Sequence, residues 1–267
     1  MEVLFNLVNL VDAQSLAKEW ALEVGKLQRE KLKKKNLEIN TKSTLTDLVT
    51  EIDILSENMI KEKIEKSYPG HNILGEESNY TDKKSKYTWV IDPLDGTNNY
   101  ASSYPIYCVS IALKYNNKIV LGVVYIPELD EIYSAIKDKG AYKSGQAIEI
   151  SQKSSLSNSL VATGFPYDKK ESTIDNLEPL NKILKNIRGL RRSGSAAFDL
   201  VSVASGRIDA YWEFKLKEWD FAAGELLVKE AGGEVFKTEI EGEPLFIAGS
   251  KELVNELRMI IEAIYKK

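Results

Sequence analysis

One histidine and one cysteine stand in 267 residues, and that scarcity removes much metal and nucleophile chemistry at the outset. A Cys/His zinc site cannot be assembled from His71 and Cys108 alone, and no His-Glu-x-x-His occurs. A Ser-His-Asp triad would have to use His71, which no Gly-x-Ser-x-Gly accompanies. His71 follows Pro69-Gly70 and reads as a surface turn residue. A lone cysteine excludes an intrachain disulfide and fits a reduced, cytoplasmic compartment. Cys108 lies in the apolar run Ile106 to Leu113 and reads as packing rather than as a nucleophile.

Long apolar runs are missing too. No stretch of about 18 apolar residues exists, so no membrane span is expected. The N-terminus is a charged amphipathic stretch without a basic region and apolar block, so a signal peptide is not expected. Nor is there a strong excess of one charge. Lys plus Arg is 36 and Asp plus Glu is 40, a net charge of −4, which offers no global attraction to nucleic acid or an anionic membrane. The basic run Lys31 to Lys35 is local and reads as a solvated helix end, where cations suit the dipole. Acid–base work must therefore fall on carboxylates, hydroxyls or a water held by metal.

What the chain does have is 43% hydrophobic content over a length that suits one large domain or two intimate subdomains. Leu16, Ala17, Trp20, Ala21, Val24 and Leu27 recur on one helical face and predict a helix from about Val3 to Lys34. A polar loop or hairpin, residues 36–46, precedes a second helix with Ile52, Leu55, Met59 and Ile64 as its stripe, ended by Pro69-Gly70. Strands are expected at His71–Leu74, Tyr107–Tyr115, Lys118–Ile126, Glu131–Ile136 and Ala147–Ile150, with Asn116-Asn117 as a turn. Residues 1–150 thus read as two helices followed by a mainly antiparallel sheet. The Ser-rich segment Ser151 to Ser159 marks a boundary. In residues 151–267, strands at Leu160–Thr163, Ile208–Phe214 and Phe246–Ala248 alternate with four helices. These are Thr173–Ile187, with Pro179 as a kink, Ala196–Ser205 opened by Ser195, Phe221–Ala231, and Lys251–Tyr265. Periodicity alone gives mixed α and β.

The chemistry gathers around WVIDPLDGTNNY, Trp89 to Tyr100. Trp89, Val90 and Ile91 read as the end of a buried strand, and Pro93, which cannot extend a ladder, predicts a turn directly after Asp92. Asp92 and Asp95 are then two carboxylates three residues apart beside free backbone N–H groups. Hard cations want such oxygens, and phosphate wants such amides. An isolated Asp-x-x-Asp is equally an Asx-turn with an N-cap. Three more acidic stretches at element boundaries give this one company: Asp47 to Asp53, Gly75 to Ser78, and Glu218 to Asp220.

Together DPLDGT (Asp92 to Thr97), GEES (Gly75 to Ser78), DLVTEID (Asp47 to Asp53) and WDFAAGELLVKEAGG (Trp219 to Gly233) resemble the inositol monophosphatase family, metal-dependent and lithium-sensitive sugar-phosphate phosphatases. The resemblance spans nearly the whole chain. It implies a layered αβαβα sandwich, a homodimer, and two or three Mg2+ per active site. It also implies that Glu76, Asp92 and the carbonyl of Leu94 hold one metal, with Asp92 bridging to a second held by Asp95 and Asp220. Glu76 contacts a weaker third. Thr97 and Asp47 match the pair that activates the attacking water; within the same stretch, Thr50 or Asp53 reads equally well as a helix cap. The amides of Gly96 and Thr97 would hold phosphate. Gly194, Ser195, Ala196 and Glu213 would face the sugar, together with Asp95 and Asp220.

Two stretches depart from the family pattern. Ala101-Ser102-Ser103-Tyr104 stands where the family has a His-Gly pair before the next proline, and Glu218 stands where a proline is common. Neither touches a proposed ligand, but both are expected to reshape the pocket rim and with it substrate preference. Fructose 1,6-bisphosphate, histidinol phosphate, NADP and 3′-phosphoadenosine 5′-phosphate are the alternatives to inositol monophosphate. Arg188, Arg191, Arg192 and Lys215 are the candidate cations for a second phosphate. A regulatory protein on an inactive scaffold is the remaining alternative.

Overall fold

The computed structural model describes residues 8–33, 39–41, 48–78, 80–166, 174 and 176–265. Helix α1 (Leu10–Lys33) turns Ala13, Ala17, Trp20, Ala21 and Val24 to one buried face. Strand β1 (Ile39–Thr41) pairs antiparallel with β2 (Leu48–Thr50). Helix α2 (Glu51–Ser67) buries Ile52, Ile60 and Ile64. Strand β3 (Asn72–Gly75) and the long β4 (Tyr87–Asp95) lead to the short helix α3 (Thr97–Ala101). Strands β5 (Cys108–Tyr115) and β6 (Lys118–Ile126) are joined by Asn116 and Asn117, whose φ values of 47 and 61 are the mirror-image turn that asparagine tolerates. Strands β7 (Glu131–Ile136), β8 (Ala141–Lys143) and β9 (Gln146–Ala147) complete the first run. Then come β10 (Leu160–Thr163), α4 (Leu177–Ile183), β11 (Gly189–Arg191) and α5 (Ala196–Ala204). The chain closes with β12 (Ala210–Phe214), α6 (Glu218–Glu230), β13 (Glu234–Ile240), β14 (Glu243–Gly249) and α7 (Lys251–Tyr265).

Two sheets form. One has seven strands in the order β3-β4-β5-β6-β7-β8-β9, antiparallel except for the parallel pair β3/β4. The other has five in the order β11-β10-β12-β14-β13. Side-chain alternation along the strands shows why the layers stack. Trp89, Ile91, Val109, Ile111, Leu121 and Val123 face α1 and α2, while Val90, Ala112, Val124 and Tyr133 face the opposite way. Those opposite-facing residues share one core with Leu200 of α5, Leu226 and Leu227 of α6, and Ala162, Tyr211 and Phe246 of the second sheet. The outer face of that second sheet, with Val161, Trp212 and Ile247, packs on α4 and α7 through Ile183, Leu253 and Leu257. The order is helices, sheet, helices, sheet, helices. Both faces of each sheet are covered, so their central strands read as continuous apolar runs.

The sequence expectations differ from this in instructive places. Strand β4 does not end at Asp92: it passes Pro93 and resumes pairing at Asp95 after a register shift. A bulge frees the proline from the ladder bond it cannot make. Helix α4 is shorter than Thr173–Ile187, and Pro179 sits in its first turn, where a missing N–H costs nothing. Strands β11 and β13 are additions at the two sheet edges. Half-solvated edges carry little apolar signal. Helix α6 starts at Glu218 rather than Phe221, so Asp220 lies inside its first turn and not ahead of it. His71 is no surface turn residue. It stacks between Tyr68 and Tyr87 at centroid distances of 4.9 and 4.8 Å, and its Nδ1 accepts the Trp89 indole N–H at 3.1 Å. Burial pushes its pKa down to about 4. No described helix is long and apolar enough to cross a membrane.

The close fit of α6 on the first sheet makes a prediction. A Cβ at Gly122 would lie 2.8 Å from the Ala223 carbonyl oxygen. Gly122→Ala therefore forces backbone apart and costs about 1–3 kcal/mol in urea unfolding. Undiminished stability would show that α6 is free to shift.

Candidate active site

The carboxylates come from the ends of different elements. Asp53 lies in the first turn of α2. Glu76 and Glu77 follow β3, Asp92 and Asp95 flank the bulge of β4, and Asp220 is in the first turn of α6. The layered packing brings them together. Burial pushes the Asp92 pKa well above the usual carboxylate range, and repulsion from Glu76, Asp95, Asp220 and Asp53 pushes it further. Asp220 is raised by burial and then by Asp95 and Glu76. Coulomb energy falls with distance, so these mutual effects show that Glu76, Asp92, Asp95 and Asp220 lie within reach of one another's charge. Carboxylate oxygens of Asp53, Glu76 and Glu77 also lie within 4.8 Å of one another.

Every donor here is a hard oxygen, and the Leu94 carbonyl lies between the two aspartates of the bulge. Mutually repelling buried carboxylates with no imidazole or thiolate among them fit magnesium and do not fit a zinc or copper site. Asp92 is 1% exposed and accepts the Leu94 N–H at 3.0 Å, which shapes the bulge. Gly96 follows with φ 101, and a Cβ there would lie 2.9 Å from the Ile106 carbonyl oxygen, so only glycine serves.

Asp47 lies outside the described residues. Among the described residues, the carboxylate that meets Thr97 is Asp53, whose Oδ2 accepts the Thr97 hydroxyl at 3.0 Å. The same hydroxyl is 3.1 Å from the Leu94 carbonyl. Asp53 is thus no solvated helix cap; it is fully buried. A signal for this was present in the sequence. Asp53, Ser56, Glu57, Ile60 and Ile64 follow helical spacing on the buried face of α2, so three polar residues interrupt a core stripe. Glu57 serves the neighbouring loop by accepting the Glu77 N–H at 2.8 Å.

Beside the acids opens a pocket of about 70 Å3. Asp95, Gly194, Ser195, Ala196, Glu213 and Asp220 line it, as do Arg192 and Asp199. Ser195 is the N-cap of α5: its hydroxyl oxygen accepts the Phe198 N–H at 3.2 Å and its O–H lies 2.6 Å from the Asp95 carboxylate. The Ala197 N–H donates to the same Asp95 oxygen at 2.6 Å. Burial still lifts the Asp95 pKa to about 6 against these bonds. Glu213 accepts the Tyr211 hydroxyl, and burial lifts its pKa to about 7 despite Tyr211 and Arg192. Glu218 holds Lys114 at 2.5 Å and so ties the start of α6 to β5. Lys215 is paired with Glu243 at 3.1 Å, and the Arg191 guanidinium donates to the Leu190 carbonyl. Cys108 is buried and its thiol pKa is pushed up, as packing requires.

Comparison with known proteins agrees with this geometry. The model of the Inositol monophosphatase family matches residues 10–267. A protein named Nus factor SuhB from Pseudomonas aeruginosa is 43% identical over 196 residues, 71% of this chain and 72% of that one. A fructose-1,6-bisphosphatase/inositol-1-monophosphatase from Aquifex aeolicus is 38% identical over 252 residues, 92% of this chain and 93% of that one. The solved inositol monophosphatase from Anabaena superposes with a TM-score of 0.85 at 36% identity, covering 96% of this chain and 97% of that one.

The raised carboxylate at Glu213 has a sign that can be tested. Folding favours its protonated form, so ionising it costs stability as pH climbs from the usual 4.5 to about 7, and no further cost accrues above that. In urea unfolding without divalent cations, Glu213→Gln should gain stability relative to the parent across that window and hold a constant difference beyond it. A difference that does not vary with pH would contradict the burial of this charge.

Proposed function

The chain belongs to the inositol monophosphatase family, and from this we propose that it hydrolyses the phosphate monoester of inositol, or of a closely similar polyol, with magnesium as cofactor. One observation supports the reading: Glu76, Asp92, Asp95 and Asp220, from distant parts of the chain, are close enough to raise the pKa of Asp92, and Asp95 and Asp220 line a pocket with Ser195, Ala196 and Glu213. In this reading Glu76, Asp92 and the Leu94 carbonyl hold one cation, and Asp92, Asp95 and Asp220 hold another. Bound Mg2+ would supply charge neutralisation at phosphate and a lowered pKa for water.

The chain's own groups do the remaining work. The Gly96 and Thr97 amides point phosphate into place, since a glycine permits the backbone to approach closely. Thr97 orients the attacking water. Its hydroxyl accepts a proton from that water while passing its own to Asp53, a carboxylate already at hydrogen-bond distance. Asp53 is the candidate that the hydrogen bond to Thr97 favours, beside Asp47, which lies outside the described residues. Glu213 and the backbone of Gly194 to Ala196 receive the sugar hydroxyls.

The test is phosphate release from inositol 1-phosphate by purified protein with and without magnesium. Release should vanish on chelation and fall at least about a hundredfold in Asp95→Asn, with the unfolding transition retained. No release from any sugar phosphate in the presence of magnesium would refute the reading. Asp53→Asn should lower kcat by about 10²–10⁴, the usual worth of a general base, and by far more than Asp47→Asn. The opposite ranking would return the role to Asp47. The relative named Nus factor motivates a second reading, a partner-binding role; if Asp95→Asn keeps a cellular function while losing turnover, that role stands on its own.

A further inference from the structure

The pocket has one wall that the roles above leave unused. Asp199, in α5, is 2% exposed and lines the cavity beside Glu213. Its Oδ1 is buried with no hydrogen-bond partner among the described residues. A buried acceptor left without a donor is costly, so such an oxygen is retained where something outside the protein completes it.

The surrounding charge says what that can be. Glu213 faces the same space and is near enough to Asp199 to repel it. Arg192 is the one basic residue on the lining among the described residues, and it attracts both carboxylates. Two acids share this one guanidinium on the described wall, so the wall is richer in oxygen acceptors than in cations. The other cations that could serve a second phosphate do not line this pocket, and Lys215 is paired with Glu243 at 3.1 Å. A carboxylate oxygen accepts from a hydroxyl and repels a phosphate.

We propose that Asp199 is a specificity-determining residue, whose Oδ1 accepts a hydroxyl of the substrate's polyol body, so that the pocket selects a neutral, hydroxyl-rich monophosphate over a bisphosphate. This rests on the phosphatase reading above and adds to it the residue that sorts its substrates.

The experiment compares inositol 1-phosphate, fructose 1,6-bisphosphate and p-nitrophenyl phosphate, which has no hydroxyl to donate, on the magnesium-loaded protein. Parent, Asp199→Ala and Asp199→Asn are measured side by side. Parent turnover of any of the three establishes the phosphatase reading separately; its absence overturns that reading and this inference with it. In Asp199→Ala, kcat/KM for inositol 1-phosphate relative to p-nitrophenyl phosphate should fall about tenfold, mostly through KM, as expected for one hydrogen bond to a charged group. The preference for bisphosphate over inositol 1-phosphate should rise in the same variant. Asp199→Asn preserves shape while replacing one carboxyl oxygen by a donor NH2, so it reports even where alanine fails to fold; the bisphosphate preference should rise at least about threefold. Unchanged ratios in the variants that fold, or an equal loss on all three substrates, would overturn the proposal.

Discussion

Repulsion among buried carboxylates is the constraint on which this structure turns. Asp92, Asp95 and Asp220 are each raised in pKa first by burial, and Asp92 and Asp220 then by one another's neighbours. No local preference would assemble such a group, because each acid alone is better solvated. What holds it is the apolar core on either side. Helix α6 lies between the two sheets and buries Ala222, Ala223, Leu226, Leu227 and Val228, and that burial carries Asp220 toward Asp95. The fold supplies the stability that the site consumes, and a bound cation would relieve what remains.

The seam between the two sheets is tied by hydrogen bonds of long reach. Ser195 meets Asp95 across 100 residues at 2.6 Å, and Asn99 donates to the Ser193 carbonyl across 94 residues at 2.8 Å. Thr97 meets Asp53 across 44 residues. Behind these, the buried Gln28 of α1 donates to the Pro93 carbonyl at 2.8 Å, and the Tyr100 hydroxyl donates to the Gln28 carbonyl at 2.8 Å. The bulged segment is thus gripped from the outer helix layer and from the start of α5 together. Metal and phosphate chemistry needs oxygens held to a fraction of an ångström, and a segment fastened on two sides meets that need.

Local pattern carried much of the fold. The strand Leu160–Thr163 and the helix Lys251–Tyr265 read directly from their residues, because apolar spacing there has no competitor. Pattern failed where tertiary context outweighed it. Pro93 signalled a stop, but a bulge carried the strand past it. The sequence of β13, EVFKTEI, mixes charged and apolar residues because it covers a sheet edge, and it went unread as a strand. His71 looked like a turn residue, yet it is stacked between two tyrosines, contacts that depend on residues up to 18 positions away.

The sequence by itself determined the kind of chemistry open to this protein. One histidine and one cysteine leave hard oxygen donors as its resource, and those donors stand at element boundaries in a recognisable order. Only the tertiary structure decided which of them meet. It brought Asp53 to Thr97 and put Glu213, Asp199 and Arg192 on the wall of one pocket. Short-range preferences record how each residue sits in its own turn or strand, whereas convergence is set by how whole layers pack, and that is spread over the entire core.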